Sequence, residues 1–403
     1  MHLALAALFF FAILTLWVPA YWPVTVFQVG VFTLAAVAIV RAVPLPIRLP
    51  YPCFPLAFAV AWGLLQWTTG RTAYPFDTQT DIVQWSTYLA VFFTGFTFFQ
   101  HREARRWFRS AMLWFSFLVA VLATLQTFTS GGKVFWLFPS GYTDFVMGPI
   151  VYRNHYAAFI EAVLPIAVYK ALARRGRPLL YSAIAAALYA SVIASASRAG
   201  SVLATAEILV AAGLLWARGR ATGRAVGLSL LRMSVPLAAF TAVVGWQRVW
   251  ERFWVPDPLA LRREFAISSL HMISAHPWFG SGLGTWATVY PRYAIVDLGT
   301  FANRAHSDWL QWTAEGGIPL ALALLTLFLW CLRPAFRSVW GVGVIAVFLH
   351  AGVDYPFSRP ALGSWVFAVI ALLAASARER QSAPSALPAS GFSPITRFIR
   401  RNL

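Results

Sequence analysis

Apolar and polar positions fall along this chain in long blocks. Twelve apolar runs stand at roughly 3–20, 22–40, 53–69, 82–100, 110–128, 154–172, 179–197, 199–217, 227–246, 309–332, 338–353 and 361–377. A bilayer core takes about 20 apolar residues per helix, and most of these runs approach that length. The pattern predicts an all-α polytopic membrane protein of about twelve transmembrane helices. One stretch breaks the rhythm. From Gln247 to Gly317 the chain is mostly polar, and its first part, 247–308, reads as one large loop between helices. The expected organisation is a single transmembrane domain over 1–377 that includes this loop. The basic tail over 378–403 is Ser-, Pro- and Ala-rich and is expected to be disordered.

Composition agrees with the pattern. Hydrophobic residues make up 59% of the 403, the mean hydropathy is +0.66, and only 11% of residues are charged. A soluble domain holds roughly 45–50% apolar residues, so an ordinary soluble protein is excluded. The 19 Trp and 13 Tyr suit aromatic belts at the two membrane interfaces. The apolar N-terminus has no Lys or Arg before it and reads as the first membrane helix, not as a secretory signal. Cys53 and Cys331 imply no disulfide framework and lack metal-ligand spacing.

The formal net charge of +18 raises nucleic acid as a partner, but its distribution argues against that. Of the 32 Lys and Arg, 21 fall in the connectors and tail on one side, among them Arg102, Arg105, Arg106, Arg109, Arg218, Arg220 and Arg337. The other 11 fall on the opposite side, with most of the acidic residues. That is positive-inside topology. It puts both termini in the cytoplasm and the large loop outside. No zinc knuckle or basic–aromatic nucleic-acid module is present.

The outer side is where chemistry is expected. Arg153 opens the sixth run in Arg153-Asn154-His155-Tyr156, and Arg198 sits in the short turn Ser197-Arg198-Ala199-Gly200. Arg262 and Arg263 lie in the loop, with Arg304 two residues before His306. Arginine presents a planar fork of donors that matches phosphate oxygens. Loop arginines also snorkel or meet headgroups. At Arg198, between two apolar helices, a charge is costly without a partner. A neutral imidazole at His306 suits a general base for a hydroxyl, with Asp308 and Glu315 near enough in sequence to orient it or to bind sugar. A lone histidine is more often structural. His155 and His350 are alternative partners, the latter with Asp354. Glu161 and Glu207 lie inside apolar helices, where they either relay protons or pair with an arginine such as Arg198. Gly280-Ser281-Gly282-Leu283-Gly284 is not a dinucleotide fingerprint, because the spacing is GxGxG and no strand precedes it. Its glycines suit a tight turn or a close backbone approach to substrate.

Together these stretches resemble the O-antigen ligase and polysaccharide polymerase family of bacterial inner-membrane glycosyltransferases. The matching pieces run in order over roughly 140–360. They are Arg153-Asn154-His155-Tyr156-Ala157 with Leu164-Pro165, Ser197-Arg198-Ala199-Gly200, and Arg262 followed by His276-Pro277-Trp278-Phe279-Gly280-Ser281-Gly282-Leu283-Gly284. The last is Ala305-His306-Ser307-Asp308-Trp309-Leu310-Gln311 with Glu315-Gly316-Gly317. The resemblance implies a GT-C-like helical fold with a large periplasmic loop, an undecaprenyl-pyrophosphate-linked glycan donor, and transfer that needs neither metal nor cofactor. It implies that His306 activates the acceptor hydroxyl while Arg198 and Arg262 hold the pyrophosphate. Arg263 fits the same spacing as Arg262. Ser307 stands where many members have Asn. Within the family, ligases use lipid A-core as acceptor, polymerases join repeat units for lipopolysaccharide or exopolysaccharide, and related oligosaccharyltransferases modify protein. The competing class is a transporter or flippase of lipid-linked saccharide. Such folds usually show two related halves with broken helices at the midplane, and no such halves are visible here.

Overall fold

A computed structural model describes residues 1–42, 49–142, 145–172, 177–244, 260–296 and 301–382, together with Trp254 and Gly299. Arg48, Arg174, Arg175, Arg248, Arg252 and the tail beyond Ser382 lie outside the described residues. Among the described residues the fold is all-α apart from one hairpin of two-residue strands, Lys133–Val134 and Phe138–Pro139. Its helices are α1 His2–Leu14, α2 Trp22–Ala42, α3 Cys53–Thr68, α4 Pro75–Phe98 and α5 Arg102–Thr129. Then come α6 Arg153–Glu161, α7 Leu164–Leu172, α8 Pro178–Ala194, α9 Arg198–Ala217 and α10 Gly223–Val244. The polar loop adds α11 Ala260–Ala275 and the short α12 Trp286–Val289. The last three are α13 Asp308–Arg337, α14 Val342–His350 and α15 Pro360–Ser382.

Each of the twelve apolar runs is helical over most of its described residues. Among the described residues six spans are long and apolar enough to cross a membrane, and four further apolar helices are shorter. The protein is therefore a multi-pass, all-α membrane protein. Two spans form its centre. The windows over Arg153–Leu172 and Pro360–Gln381 are each 89% buried, whereas the other four are 28–44% buried and turn apolar faces outward. Helix α15 lies against α4, where Gly95 approaches Ala371 and Gly363 approaches Tyr88.

Two proline positions explain two breaks that periodicity alone predicts as continuous helix. Proline lacks an N–H and its ring clashes with the carbonyl four residues back. Pro165 frees the Glu161 carbonyl, and the 154–172 run divides into α6 and α7. Gly343 of the neighbouring segment meets that carbonyl so closely that a Cβ there would stand 2.1 Å from it. In α13, Pro319 likewise frees the Glu315 carbonyl, and Gly317 leaves helical geometry with φ 69° and ψ −178°. The described part of the polar loop, 260–296 and 301–308, is folded. It has a small core of its own, Phe265, Met272, Trp286, Tyr290 and Ala305, packed on Ala314 of α13.

Candidate functional site

The break in α13 leaves carbonyls without helical partners, and these must be satisfied because they are buried. The glycine-rich loop satisfies them. Ser281 N–H donates to Ala314 O at 3.0 Å and Gly282 N–H donates to Glu315 O at 3.0 Å. Gln66 Nε2 donates to Glu315 O at 2.9 Å, and Trp62 Nε1 donates to Gly316 O at 2.8 Å. Gly280, Gly282 and Gly284 all have positive φ, of 67°, 106° and 75°. A Cβ at Gly280 would stand 2.3 Å from the Glu315 backbone. These glycines make their close approaches within the protein, Gly280 to Glu315 of the broken helix, Gly282 to Thr72 and Gly284 to Asp77 of α4. The Glu315 carboxylate faces the same loop, accepting from Trp286 N–H and Gln311 Nε2, each at 3.0 Å.

This docking sets where α13 begins. Ser307 caps the helix by accepting from Leu310 N–H at 3.3 Å. Asp308, fully buried in its first turn, accepts from Phe357 N–H and Ser358 Oγ, both at 2.8 Å. Asp308 thereby pins the turn 354–358 beside the helix start. The Asp308 N–H donates to Asp354 O at 3.0 Å, which ties the two segments again.

Asp354 is the centre of the cluster and is fully buried. Its Oδ2 accepts from Arg262 Nη2 at 3.0 Å and from Asn154 Nδ2. Its Oδ1 accepts from Tyr355 N–H at 2.9 Å and lies 3.6 Å from His155 Nε2. Four elements meet here: α6 supplies Asn154 and His155, α11 supplies Arg262, the 351–359 turn supplies Asp354, and the strand of chain before α13 supplies His306. The His306 ring is stacked on Phe265 at 5.5 Å and meets the Tyr355 ring edge-on at 4.9 Å. His306 holds a positive φ of 53°, a conformation uncommon for a residue with a side chain. Its Nδ1 is buried with no hydrogen-bond partner among the described residues. Burial holds His306 below its usual value near 6.5, Asp354 pulls it back up, and Arg262 pushes it down again. The imidazole is therefore neutral at neutral pH. Burial pushes the Tyr152 phenol up to about 12, with the Asp354 charge adding to it, so that group stays protonated.

The remaining expected residues take distinct places. Arg263 is exposed, while Arg262 turns toward Asp354. The signal that separates them is helical spacing: Phe265, Ser269 and Met272, all buried, share the face of Arg262. Arg198 begins α9, capped by Ser197, and Gly200 brings that end against Ala157 of α6. Arg153 opens α6 and is half-buried. Glu161 accepts from His350 Nδ1 at 2.8 Å in a fully buried pair, so it is His350, and not Arg198, that partners it. Both Glu207 oxygens are buried with no hydrogen-bond partner among the described residues. One acid of structural weight had no motif to mark it. Glu264 accepts from Tyr290 Oη at 2.6 Å, Ser268 Oγ at 2.8 Å and Ile295 N–H at 3.2 Å, and so clamps the polar loop.

The described fold is thus a multi-pass helical protein in which Arg262, a neutral His306 and the buried Asp354 carboxylate meet beside a folded polar loop. Residues 182–325 match the family model described as O-antigen ligase. The match is with the same family that the sequence motifs resemble, and it supports membership of the O-antigen ligase and polymerase family. It spans about a third of the chain and includes Arg198, Arg262, Arg263, His306, Asp308 and Glu315. Arg153, Asn154, His155 and Asp354 lie outside it. No curated protein matches the chain.

Proposed function

We propose that this protein is an O-antigen ligase-type glycosyltransferase of the bacterial inner membrane. It moves glycan from an undecaprenyl-pyrophosphate-linked donor to an acceptor hydroxyl, on lipid A-core or on a growing glycan. All twelve apolar runs cross the bilayer, both termini are cytoplasmic, and the Asp354 cluster faces the periplasm. The observation that carries the reading is that Arg262 and His306 share one cluster around Asp354 and Tyr355.

In this reading a ring nitrogen of His306 takes the acceptor O–H proton. The acceptor oxygen forms a bond to the anomeric carbon. The bond from that carbon to the pyrophosphate oxygen breaks, and undecaprenyl pyrophosphate leaves with the electron pair. Negative charge grows on the leaving oxygen, which is where a fixed cation helps most. Arg262 supplies that cation, held on its inner side by Asp354, and Arg198 and Arg153 add phosphate donors from the α9 and α6 ends. Asp308 and Glu315 act at one remove, since their carboxylates brace the 354–358 turn and the glycine loop.

The test is transfer by the purified protein in liposomes loaded with a polyprenyl-pyrophosphate-linked glycan. A new glycosidic bond on a supplied acceptor supports the proposal. Movement of intact donor across the bilayer with no new bond would instead make the protein a flippase.

A further inference from the structure

At the opposite ends of the same helices lies a cavity of about 680 Å³ lined by eight arginines and one acid, Glu379. Helix α13 begins beside the Asp354 cluster and ends at Arg337, and α15 runs the same way to Arg380. Four separate segments bring arginines here: the start of α5, the connector after α9, and the ends of α13 and α15.

Positive-inside topology accounts for basic residues at this end, but it predicts side chains splayed toward solvent and headgroups. Two of them are drawn inward instead, Arg105 and Arg109, while Arg102, Arg106, Arg218, Arg220, Arg337 and Arg380 stay exposed around the cavity. Arg105 is 3% exposed, and its guanidinium donates to Phe99 O at 2.6 Å, to Gln100 O at 2.8 Å and to Glu379. Arg109 lies over the Trp340 ring at 4.5 Å. Arg380 donates to Ser338 Oγ at 3.1 Å, and Arg218 reaches the Arg337 carbonyl at 3.4 Å. Glu379 is already engaged by Arg102 and Arg105. Guanidiniums gathered around one open volume, with a single acid among them, repel one another unless an anion enters. The volume is that of a ligand pocket, and planar guanidinium forks fit phosphate oxygens.

We propose that this cavity is a binding site for a diphosphoryl group. The shared chemistry is two phosphates close together, and it has two sources. One is the headgroup of a diphosphoryl lipid from the leaflet where these helices end, and the other is a free soluble diphosphate. Basic pockets between membrane helices hold such headgroups elsewhere. The proposal does not depend on the glycosyltransferase reading, because no residue of the Asp354 cluster takes part.

The experiment uses the full chain in nanodiscs of neutral phosphatidylcholine. Tetraoleoyl cardiolipin is titrated in and followed by native mass spectrometry, and inorganic pyrophosphate is titrated separately by calorimetry. Wild type takes up one saturable diphosphoryl probe per chain. The triple variant Arg106→Gln/Arg220→Gln/Arg337→Gln binds it about a hundredfold more weakly, from roughly fivefold per arginine. Glu379→Gln, which frees Arg102 and Arg105, binds it more tightly. Cardiolipin that pyrophosphate does not displace identifies the leaflet as the source. Pyrophosphate that binds and excludes cardiolipin identifies the soluble one. Absence of saturable binding by either probe overturns the proposal, and so does equal binding by wild type and triple variant. If the triple variant fails to fold, unchanged binding in Glu379→Gln overturns it alone.

Discussion

Replacing Asp354 with Asn separates the charge of the cluster from its shape. The carboxylate accepts from Arg262, Asn154 and the Tyr355 N–H, and it faces His155. An amide of the same size has only one acceptor oxygen. Whichever way it turns, its NH₂ points at a donor, either Arg262 with Asn154 or the Tyr355 N–H. A hydrogen bond to a charged group contributes about 1.5–3 kcal/mol. Breaking a fully buried pair costs about 3–5 kcal/mol. The Arg262 side chain is 28% exposed, so solvent recovers part of that and the lower range applies. A stability loss of about 2 kcal/mol is expected. The larger effect is on rate. Asp354 aims Arg262, and a misplacement near 1 Å costs about a hundredfold. The pH profile supplies a second readout. In the proposed role His306 works only when neutral, so activity should be lost as pH falls through its pKa, which burial holds below 6.5. Asp354 raises that pKa, so Asp354→Asn moves the acid limb to lower pH. The assay is the transfer rate in liposomes from pH 4.5 to 8, with kcat and KM measured separately and folding checked by size exclusion. A folded Asp354→Asn protein with wild-type kcat and an unmoved acid limb would refute the reasoning.

Burial lowers the His306 pKa most and Arg262 adds to it; Arg262→Gln removes that second influence, so the acid limb moves to higher pH while kcat falls, and a pH–rate profile of the residual activity reads both. Gly282→Ala forces a Cβ to within 2.3 Å of Thr72 at a φ of 106°, and a thermal melt in detergent should show a loss of about 2 kcal/mol or more. Glu161→Ala leaves buried His350 without the partner it holds at 2.8 Å, and the yield of folded protein should drop with a cost of about 3–5 kcal/mol, while a Glu161→Gln variant is milder.

Much of the fold is legible because apolar run length is a local property. The helices fall on the twelve runs, and the turn character of Gly280, Gly282 and Gly284 is visible in the residues themselves. What the loop docks on is not visible. Gln66 meets Glu315 across 249 positions, and no local pattern marks such a pairing. The breaks at Glu161 and Glu315 were signalled by Pro165 and Pro319, but hydropathy hides a proline inside an apolar run. At the candidate site, spacing alone treats Arg262 and Arg263 as equivalent, and only the buried face of α11 distinguishes them. Asp354 reads in sequence as a neighbour of His350. The fold turns its carboxylate to Arg262 and Asn154 because the 351–359 turn folds back over the start of α13.

The most direct measurement is single-turnover transfer by His306→Ala beside wild type, with the polyprenyl-pyrophosphate-linked glycan bound to saturation in both. The account predicts donor binding within a few-fold of wild type and a transfer rate lower by roughly 10²–10⁴, the range for loss of a general base. Transfer by a folded His306→Ala protein at the wild-type rate would contradict it.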